Sequence, residues 1–144
     1  MTEPVSLTPE TYLEAQRAAE PTRHLAVIAS VREGLPIALV EETAERLGLS
    51  FKALTHLGIL APRTAAHSKR TGRLSPAQSD RVTRFFRVFQ HAVGTFGDST
   101  RAHTWMTRPS RALGEQRPVN LFDTDEGVRL VEDLLNRIDH GLAA

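Results

Sequence analysis

The 144-residue sequence is long enough for one ordinary domain or two small ones, and its 40% apolar content is typical of a globular protein. Its 18 lysine and arginine residues nearly balance its 17 aspartate and glutamate residues. The absence of cysteine excludes a disulfide framework and a thiolate metal site.

Two further properties of the sequence predict its class. Strand-like alternation of apolar and polar residues is scarce, while leucine, alanine and arginine dominate, which favours an all-α fold. The N-terminal sequence MTEPVSLTPETYLEAQ lacks the basic start and the apolar run of a signal peptide, and no stretch approaches membrane-spanning length. We therefore expect an all-α cytoplasmic protein.

Charge is unevenly distributed along the chain. The segment from Arg63 to Arg87 has seven basic residues and one acidic residue, whereas the segment from Asp123 to Asp139 has six acidic residues and two basic ones. This asymmetry favours a polyanion as the partner of the first segment and a different partner for the second. A solvated basic helix face explains the first segment about as well.

The first predicted elements are a polar lead-in and two helices. Residues 1–21 form the lead-in, in which Thr8 starts a short helix with at most partial order. A helix from Thr22 to Glu33 follows, and the apolar residues on it are Leu25, Ile28 and Val31. Pro36 starts the next helix, whose apolar face consists of Ile37, Val40, Ala44 and Leu47.

A helix, a glycine turn and a basic helix come next. Ser50 caps the short helix SFKALTHL, Gly58 breaks it, and Pro62 opens the helix PRTAAHSKR, which Gly72 ends. This is the layout of a helix-turn-helix, whose second helix enters the DNA major groove. The candidate DNA-binding residues are Arg63, Thr64, His67, Lys69, Arg70 and Arg73.

These side chains can read guanine edges or bind phosphates, and binding through phosphates would weaken steeply with salt. A solvated basic helix that does not bind DNA is the alternative.

Ser75 and Pro76 then start a long helix that reaches about Val93. Its apolar stripe is rich in phenylalanine, which predicts that the stripe belongs to the core and is not a ligand site. We place the domain junction between Gly94 and Gly97, so that the domains cover residues 22–94 and 95–144.

The segment from Trp105 to Gly141 has the layout of a small docking unit. Pro109 ends a short helix, Gly114 marks a tight loop, and Pro118 starts a short helical turn. The last helix begins after Thr124, ends near Gly141, and carries an apolar stripe of Val128, Val131, Leu135 and Ile138, widened by Leu130 and Leu134. Part of so wide a stripe is available to a partner.

The order of residues in this unit resembles the C-terminal domain of Xre/MbcA/ParS-type antitoxins, the partners of RES-domain toxins. The matching positions are Trp105, Pro109, Leu113-Gly114, Pro118, Leu121, Thr124, Glu126-Gly127, Val131, Leu134-Leu135, Arg137-Ile138 and Gly141. Glu115 departs from the pattern, since the family usually has a second glycine there. The resemblance implies that the segment binds a toxin and that its C-terminal end plugs an NAD-consuming active site.

The helix-turn-helix region is similar to the same antitoxins, more loosely, in Leu57-Gly58-Ile59, Arg63-Thr64 and Gly72-Arg73-Leu74-Ser75, with one residue inserted between Ile59 and Arg63. Leu54 stands where the family has a small residue, and Ala65 where it tends to have leucine. We expect these two changes to compensate in core volume. The resemblance also implies a homodimer that carries two toxins and represses its own operon.

The candidate toxin-binding residues are Trp105, Leu113, Gly114, Pro118, Leu121, Leu134, Arg137, Ile138, Gly141 and Leu142. Leu142 belongs to a short apolar tail that either inserts in a cleft of the toxin or frays in solution. Trp105 is either an interface anchor or, as is more common for a single tryptophan, part of the core. Arg137 lies in the last turn, where its guanidinium can pair with a toxin carboxylate, occupy a site made for a substrate phosphate, or simply stabilise the helix terminus.

No catalytic constellation is apparent in the sequence. The six histidines have no metal-ligand spacing, and there is no glycine-rich phosphate loop. We therefore expect neither an enzyme nor a bound cofactor or metal. Two other functions fit the pattern: a transcription regulator whose C-terminal domain serves only dimerisation, and an antitoxin to a toxin that ADP-ribosylates another protein.

Overall fold

The computed structural model describes residues 7–17 and 20–141. Over these residues the chain forms eight α-helices and two short 3-10 turns, with no β-strand, which confirms the all-α prediction. The helices are α1 (Pro9–Ala15), α2 (Pro21–Glu33), α3 (Ile37–Arg46), α4 (Phe51–His56), α5 (Pro62–Thr71), α6 (Pro76–Phe96), α7 (Ser99–Thr107) and α8 (Asp125–Asp139). The 3-10 turns, Arg111–Leu113 and Pro118–Leu121, lie between α7 and α8.

Four helices begin at the residues that the sequence predicts. Ser50, Ser75 and Thr124 each accept a hydrogen bond from the backbone N–H three residues later, at 3.1, 3.2 and 3.0 Å respectively. Pro62 and Pro76 occupy the first positions of their helices, where a missing N–H costs nothing. Local capping chemistry therefore sets where α4, α5, α6 and α8 begin.

Helix α1 corrects the prediction of a partly ordered lead-in. Tyr12 is fully buried, its ring meets Phe86 edge-on at 6.1 Å between centroids, and its hydroxyl lies 2.6 Å from the Thr83 hydroxyl. Burial raises the pKa of Tyr12 far above its usual value. One aromatic anchor thus holds a seven-residue helix to α6. Residues 1–6 of the lead-in lie outside the described residues.

Helix α2 forms where predicted, and its apolar residues differ widely in burial. Val27 is its buried residue and Val31 is half-buried, whereas Leu25 and Ile28 are 63% and 42% exposed. Two of the three apolar residues that the sequence places on this helix are therefore at the surface. The helix docks on α1 and α6 through its other side.

Helix α6 is the centre of the fold. Its buried side chains include Val82, Phe85, Phe86 and Phe89, which confirms the predicted phenylalanine core. It packs against α2 on one side and against α7 and α8 on the other, and Phe85 meets Phe122 at 5.6 Å between centroids. It ends at Phe96, three residues later than predicted, so the proposed junction falls within or just after its last turn.

The turn before α3 is hydrogen-bonded to the turn after α5. The Ile37 N–H donates to the Gly72 carbonyl at 2.9 Å, and the Leu74 N–H donates to the Leu35 carbonyl at 3.0 Å. Gly34 has φ +94°, and a Cβ there would lie 2.2 Å from the Leu74 carbonyl oxygen, so the approach requires glycine. These contacts fix the basic helix α5 relative to α2 and α3.

Candidate functional site

The predicted basic surface lies on α5. Arg63, His67 and Arg70 are exposed and follow one another at intervals of four and three residues, so they share one face of the helix. Within the described part of the chain, the side chains of Arg63 and Arg70 make no hydrogen bond or ion pair. This face therefore offers guanidinium groups that are free to bind an anion.

Three other predicted DNA-binding residues are engaged within the chain. Arg73 donates to the Gly34 carbonyl at 2.8 Å, and the Lys69 ammonium lies 5.1 Å from the centroid of the Phe51 ring. Thr64 is half-buried. Arg73 braces the turn after α5, and Lys69 links α5 to α4, so both hold the surface in place as well as adding charge to it.

The remaining basic residues of the positive segment are on α6 and are mostly neutralised internally. Arg84 pairs with Asp80 at 2.8 Å, and the Arg87 Nε donates to Glu132 of α8 at 2.9 Å. Arg81 donates to a backbone carbonyl in the turn between α4 and α5 at 3.1 Å. The charge asymmetry of the sequence thus overstates the positive surface, because part of each charged segment faces the other.

Asp139 makes the second polar link between α6 and α8. It accepts hydrogen bonds from the Thr95 hydroxyl and from the His91 ring, both at 2.6 Å. The Thr95 bond and the His91 bond hold the pKa of the Asp139 carboxyl below its ordinary value. Together with the Arg87–Glu132 pair, this link clamps α8 along α6.

The outer face of α8 is left free. Val128, Val131 and Leu135 are buried against the rest of the chain, whereas Leu130 is 48% exposed and Arg137 is exposed. Within the described residues, the side chain of Arg137 makes no hydrogen bond or ion pair. Of the two residues predicted to widen the apolar stripe, Leu134 is buried and Leu130 lies at the exposed edge of the stripe.

The loop before α8 is tight. Gly114 and Glu115 have φ values of +63° and +66°, and the Ser110 N–H donates to the Gln116 carbonyl at 3.0 Å. Glu115 is the only described residue other than glycine with a positive φ. Its side chain makes the left-handed conformation less favourable, which is the physical cost of the departure from a second glycine.

The other predicted toxin-binding residues divide by burial. Leu113, Pro118 and Leu134 are buried, so in this chain their side chains support the domain from within. Trp105, Leu121 and Ile138 are half-buried, while Gly114 and Gly141 are exposed. Leu142 lies outside the described residues. A surface role is open only to the exposed and half-buried residues of this set.

Trp105 has features of both roles that the sequence left open, a core residue and an interface anchor. Its ring packs on Phe96 at 5.4 Å between centroids. The same two rings line a surface depression of about 420 Å³ together with Arg108 and Pro109. The tryptophan therefore belongs to the edge of the core and contributes an apolar wall to the surface.

Comparisons with known proteins divide the chain into two domains. A family model described as the antitoxin Xre/MbcA/ParS C-terminal toxin-binding domain matches residues 91–141, and one described as the antitoxin Xre-like helix-turn-helix domain matches residues 26–87. An antitoxin Xre from Photorhabdus laumondii is 35% identical over 120 residues, covering 81% of this chain and 80% of the relative. This chain belongs to the Xre antitoxin family.

Two further antitoxins of the same name are similar over shorter stretches. The one from Yersinia enterocolitica is 43% identical over 72 residues, or 49% of each chain. The one from Pseudomonas putida is 28% identical over 98 residues, covering 61% of this chain and 62% of the relative. The present antitoxin thus has an N-terminal Xre-like helix-turn-helix domain followed by a C-terminal toxin-binding domain.

One large apolar residue of α8 is exposed at the surface. Leu130 falls four residues after Glu126 and seven before Arg137, so it lies on the same side of the helix as these two charged residues. In the described ranges there is no group of three acidic or histidine side chains arranged to hold a metal ion, and no helix long and apolar enough to cross a membrane.

Proposed function

We propose that this antitoxin neutralises a RES-domain toxin that degrades NAD, by covering the entrance of the toxin's active site with the C-terminal end of α8. The observation that carries the proposal is the free outer face of α8. Arg137 is exposed and unpaired within the described residues. It lies on a helix whose inner face is buried and whose middle and C-terminal end are held to α6.

The clamp favours this role energetically. Because the Arg87–Glu132 pair and the Asp139 hydrogen bonds already hold α8, little conformational freedom is lost when the helix docks. Leu130 supplies an apolar contact, and the Arg137 guanidinium supplies a charged one. That guanidinium can pair with a toxin carboxylate or occupy a site shaped for a phosphate of NAD.

The same antitoxin represses its own operon, in this proposal, through the basic face of α5. Arg63 and Arg70 are free to bind phosphates or guanine edges. Helix-turn-helix proteins bind as dimers to two half-sites roughly 34 Å apart, so the repressor is a homodimer. The alternatives are a regulator that binds no toxin and an antitoxin to an ADP-ribosylating toxin.

One experiment separates these functions. Cellular NAD is measured in a host that expresses the gene adjacent to this one, alone, with the full-length antitoxin, and with a variant lacking residues 137–144. The affinity of both antitoxins for the DNA upstream of their gene is measured in parallel. We expect cellular NAD to fall when the neighbouring gene is expressed alone, and to recover only when the full-length antitoxin is expressed with it. The truncation should leave the affinity for DNA unchanged.

A matched pair of substitutions localises the effect. Arg137→Ala removes the unpaired guanidinium, while Arg129→Ala removes an exposed guanidinium on the same helix that pairs with Asp125 at 3.1 Å. We expect the first to weaken neutralisation about tenfold or more, as loss of a charged interface contact does, and the second to leave it unchanged. If NAD never falls, the NAD-degrading toxin is excluded. If the truncated chain still neutralises, coverage by the end of α8 is wrong.

A further inference from the structure

A polar cavity of about 310 Å³ lies where the turn after α1 meets α6 and α8. These three elements contribute the polar side chains of Gln16, Arg17, Arg87, Gln90, Glu132 and Asn136 to its walls. The volume is at the lower end of the range for small-molecule sites in proteins, roughly 300–1,000 Å³. The cavity therefore has room for a small metabolite but not for a peptide helix or a nucleic acid strand.

The ion pair between α6 and α8 in this cavity leaves part of each group unused. Nε and Nη2 of Arg87 both donate to Oε1 of Glu132, the first at 2.9 Å. Within the described residues, Nη1 of Arg87 and Oε2 of Glu132 make no hydrogen bond. Both side chains are partly exposed, at 43% and 31%, so a ligand can reach them. The pair thus offers a ligand one charged donor and one charged acceptor.

The turn after α1 supplies a second guanidinium group, that of Arg17. With the Gln90 amide oriented so that its oxygen faces Arg17, Nε and Nη2 of Arg17 both donate to that oxygen, Nη2 at 2.8 Å. Gln90 is buried, so this contact holds the Arg17 side chain in the cavity wall. Nη1 of Arg17 makes no hydrogen bond within the described residues. Two held guanidinium groups therefore each have an Nη1 available for an anion.

Gln16 adds an acceptor that lacks a donor. Its Nε2 donates to the Tyr12 carbonyl at 3.3 Å, whereas its Oε1 is buried and has no hydrogen-bond partner within the described residues. A buried acceptor without a partner is unfavourable, and it becomes satisfied when a ligand brings a donor to it. The cavity consequently favours a ligand that donates hydrogen bonds as well as accepting them.

The charges in the cavity indicate the class of ligand. The two guanidinium groups carry two positive charges, and Glu132 carries one negative charge. His91 also lines the cavity, but its ring is bonded to Asp139 at 2.6 Å. Two guanidinium groups suit two carboxylates, and the acceptors of Glu132 and Gln16 suit an ammonium group. An acidic α-amino acid has these three groups, whereas a plain dicarboxylate would leave both acceptors without a donor.

We propose that this cavity binds a free acidic α-amino acid such as glutamate, with its carboxylates on Arg17 and Arg87 and its ammonium group on Glu132 and Gln16. The residues from the turn after α1 precede the first family match, which begins at residue 26, so the site goes beyond the helix-turn-helix and toxin-binding functions. The ligand contacts α1, α6 and α8 together. It therefore stabilises the folded chain, including the attachment of α8 to α6.

Isothermal titration calorimetry of the full-length antitoxin with L-glutamate tests the proposal. Glutarate, which has the two carboxylates and no ammonium group, and inorganic phosphate are the comparison ligands. We expect L-glutamate to bind at one site per chain and glutarate to bind about tenfold more weakly or worse, because both acceptors stay unpaired. Phosphate should not bind measurably at the same concentrations. The thermal midpoint should rise with the concentration of L-glutamate.

Two substitutions at the end of α1 locate the site. Arg17→Met removes one guanidinium group and should weaken binding of L-glutamate by about tenfold or more. Gln16→Met keeps the length of the side chain but removes the acceptor, and should weaken binding by about fivefold. The matched control is Arg101→Met, which removes a guanidinium group on α7 that is exposed and pairs with Asp98 at 3.7 Å, and which should leave binding unchanged. Circular dichroism checks that each variant keeps its helical content.

The wild-type protein gives a readout that needs no substitution. The side-chain amide signals of Gln16, Gln90 and Asn136 in nuclear magnetic resonance spectra should shift when L-glutamate is added. Failure of L-glutamate to bind the wild type at millimolar concentration, or binding that Arg17→Met leaves unchanged, would overturn the proposal. So would shifts confined to the basic face of α5.

Equal affinities for L-glutamate, glutarate and phosphate would overturn the assignment to an amino acid and show that the cavity attracts anions without selection. All of these experiments use the antitoxin alone, without toxin or DNA. Their failure is therefore distinguishable from failure of the proposed function, which is measured by cellular NAD.

Discussion

At the scale of single residues, Gly127 shows how packing can override helix propensity. It lies in the first turn of α8, and a Cβ there would lie 2.0 Å from the Leu121 carbonyl oxygen. Alanine normally stabilises a helix relative to glycine by about 1 kcal/mol. We expect Gly127→Ala to destabilise the fold instead, by about 1–3 kcal/mol, since the methyl group overlaps rigid backbone. Urea unfolding measures the change.

Gly94 provides the matched control. It is a helical glycine on α6, it is exposed, and a Cβ there would meet nothing within 4 Å. Gly94→Ala should therefore stabilise the protein by about 0.5–1 kcal/mol. Equal and favourable effects of the two substitutions would show that α8 does not approach Leu121 as closely as the structure indicates.

The sequence predicted single residues well where the controlling interaction is local. Ser50, Ser75 and Thr124 were recognised as caps because the accepting oxygen and the donating N–H are three residues apart. Tyr12 was placed in a partly ordered segment, since its partners Thr83 and Phe86 are some seventy positions away. No pattern within α1 reports such a contact.

At the scale of elements, the polar contacts between α6 and α8 make the attachment of α8 dependent on pH. Folding lowers the pKa of Asp139 from its ordinary 3.8, through the Thr95 and His91 hydrogen bonds. The unfolded state therefore binds more protons at this carboxyl. The ionised Asp139 carboxylate stabilises the fold fully at pH values above its pKa in the unfolded state. This stabilisation is lost as the pH falls through the pKa of Asp139 in the folded state.

The substitution Asp139→Asn tests this attachment. We expect it to lower the thermal midpoint at neutral pH, and the difference from the wild type to shrink as pH falls below about 3.8. Asp133→Asn is the control, because Asp133 is exposed on the same helix with no ion pair within the described residues. A difference between wild type and Asp139→Asn that stays constant down to the lowest pH would contradict the assignment.

Sequence patterns predicted where the helices occur better than which side of each helix is buried. Helix α2 occurs within one residue of its predicted start, yet Leu25 and Ile28 face outward. Periodicity shows that apolar residues share a side of a helix, but it does not show whether this chain or another molecule covers that side. The same limit applies to Leu130, whose exposure depends on how α8 rotates against α6.

At the scale of the whole molecule, α6 is shared by the two domains. The family matches end at residue 87 and begin again at residue 91, both inside α6, and Phe85 packs on Phe122 of the second part. The basic residues of α6 also pair with the acidic residues of α8. Pairings of this kind depend on the assembled fold, which is why the charge pattern alone suggested two separate partners.

Leu54→Ala tests whether the two parts unfold together. Leu54 is fully buried in the helix-turn-helix domain, and its truncation should cost about 2–5 kcal/mol. Trp105, the single tryptophan, reports on the C-terminal domain by fluorescence, while far-UV circular dichroism reports on all helices. If α6 couples the domains, the fluorescence and circular dichroism transitions of Leu54→Ala shift together by the same amount. The control Leu130→Ala should change the free energy of unfolding measured by either signal by no more than about 0.5 kcal/mol.

A fluorescence transition that stays in place while circular dichroism shows an earlier phase would mean that the domains unfold independently. Unchanged stability in Leu54→Ala would also contradict the prediction that Leu54 compensates in core volume for Ala65, since a compensating large residue must fill space.

Coupled unfolding has a functional consequence. A toxin bound at α8 would then stabilise the DNA-binding domain through α6, because a ligand that binds only the folded chain stabilises every part that unfolds with its site.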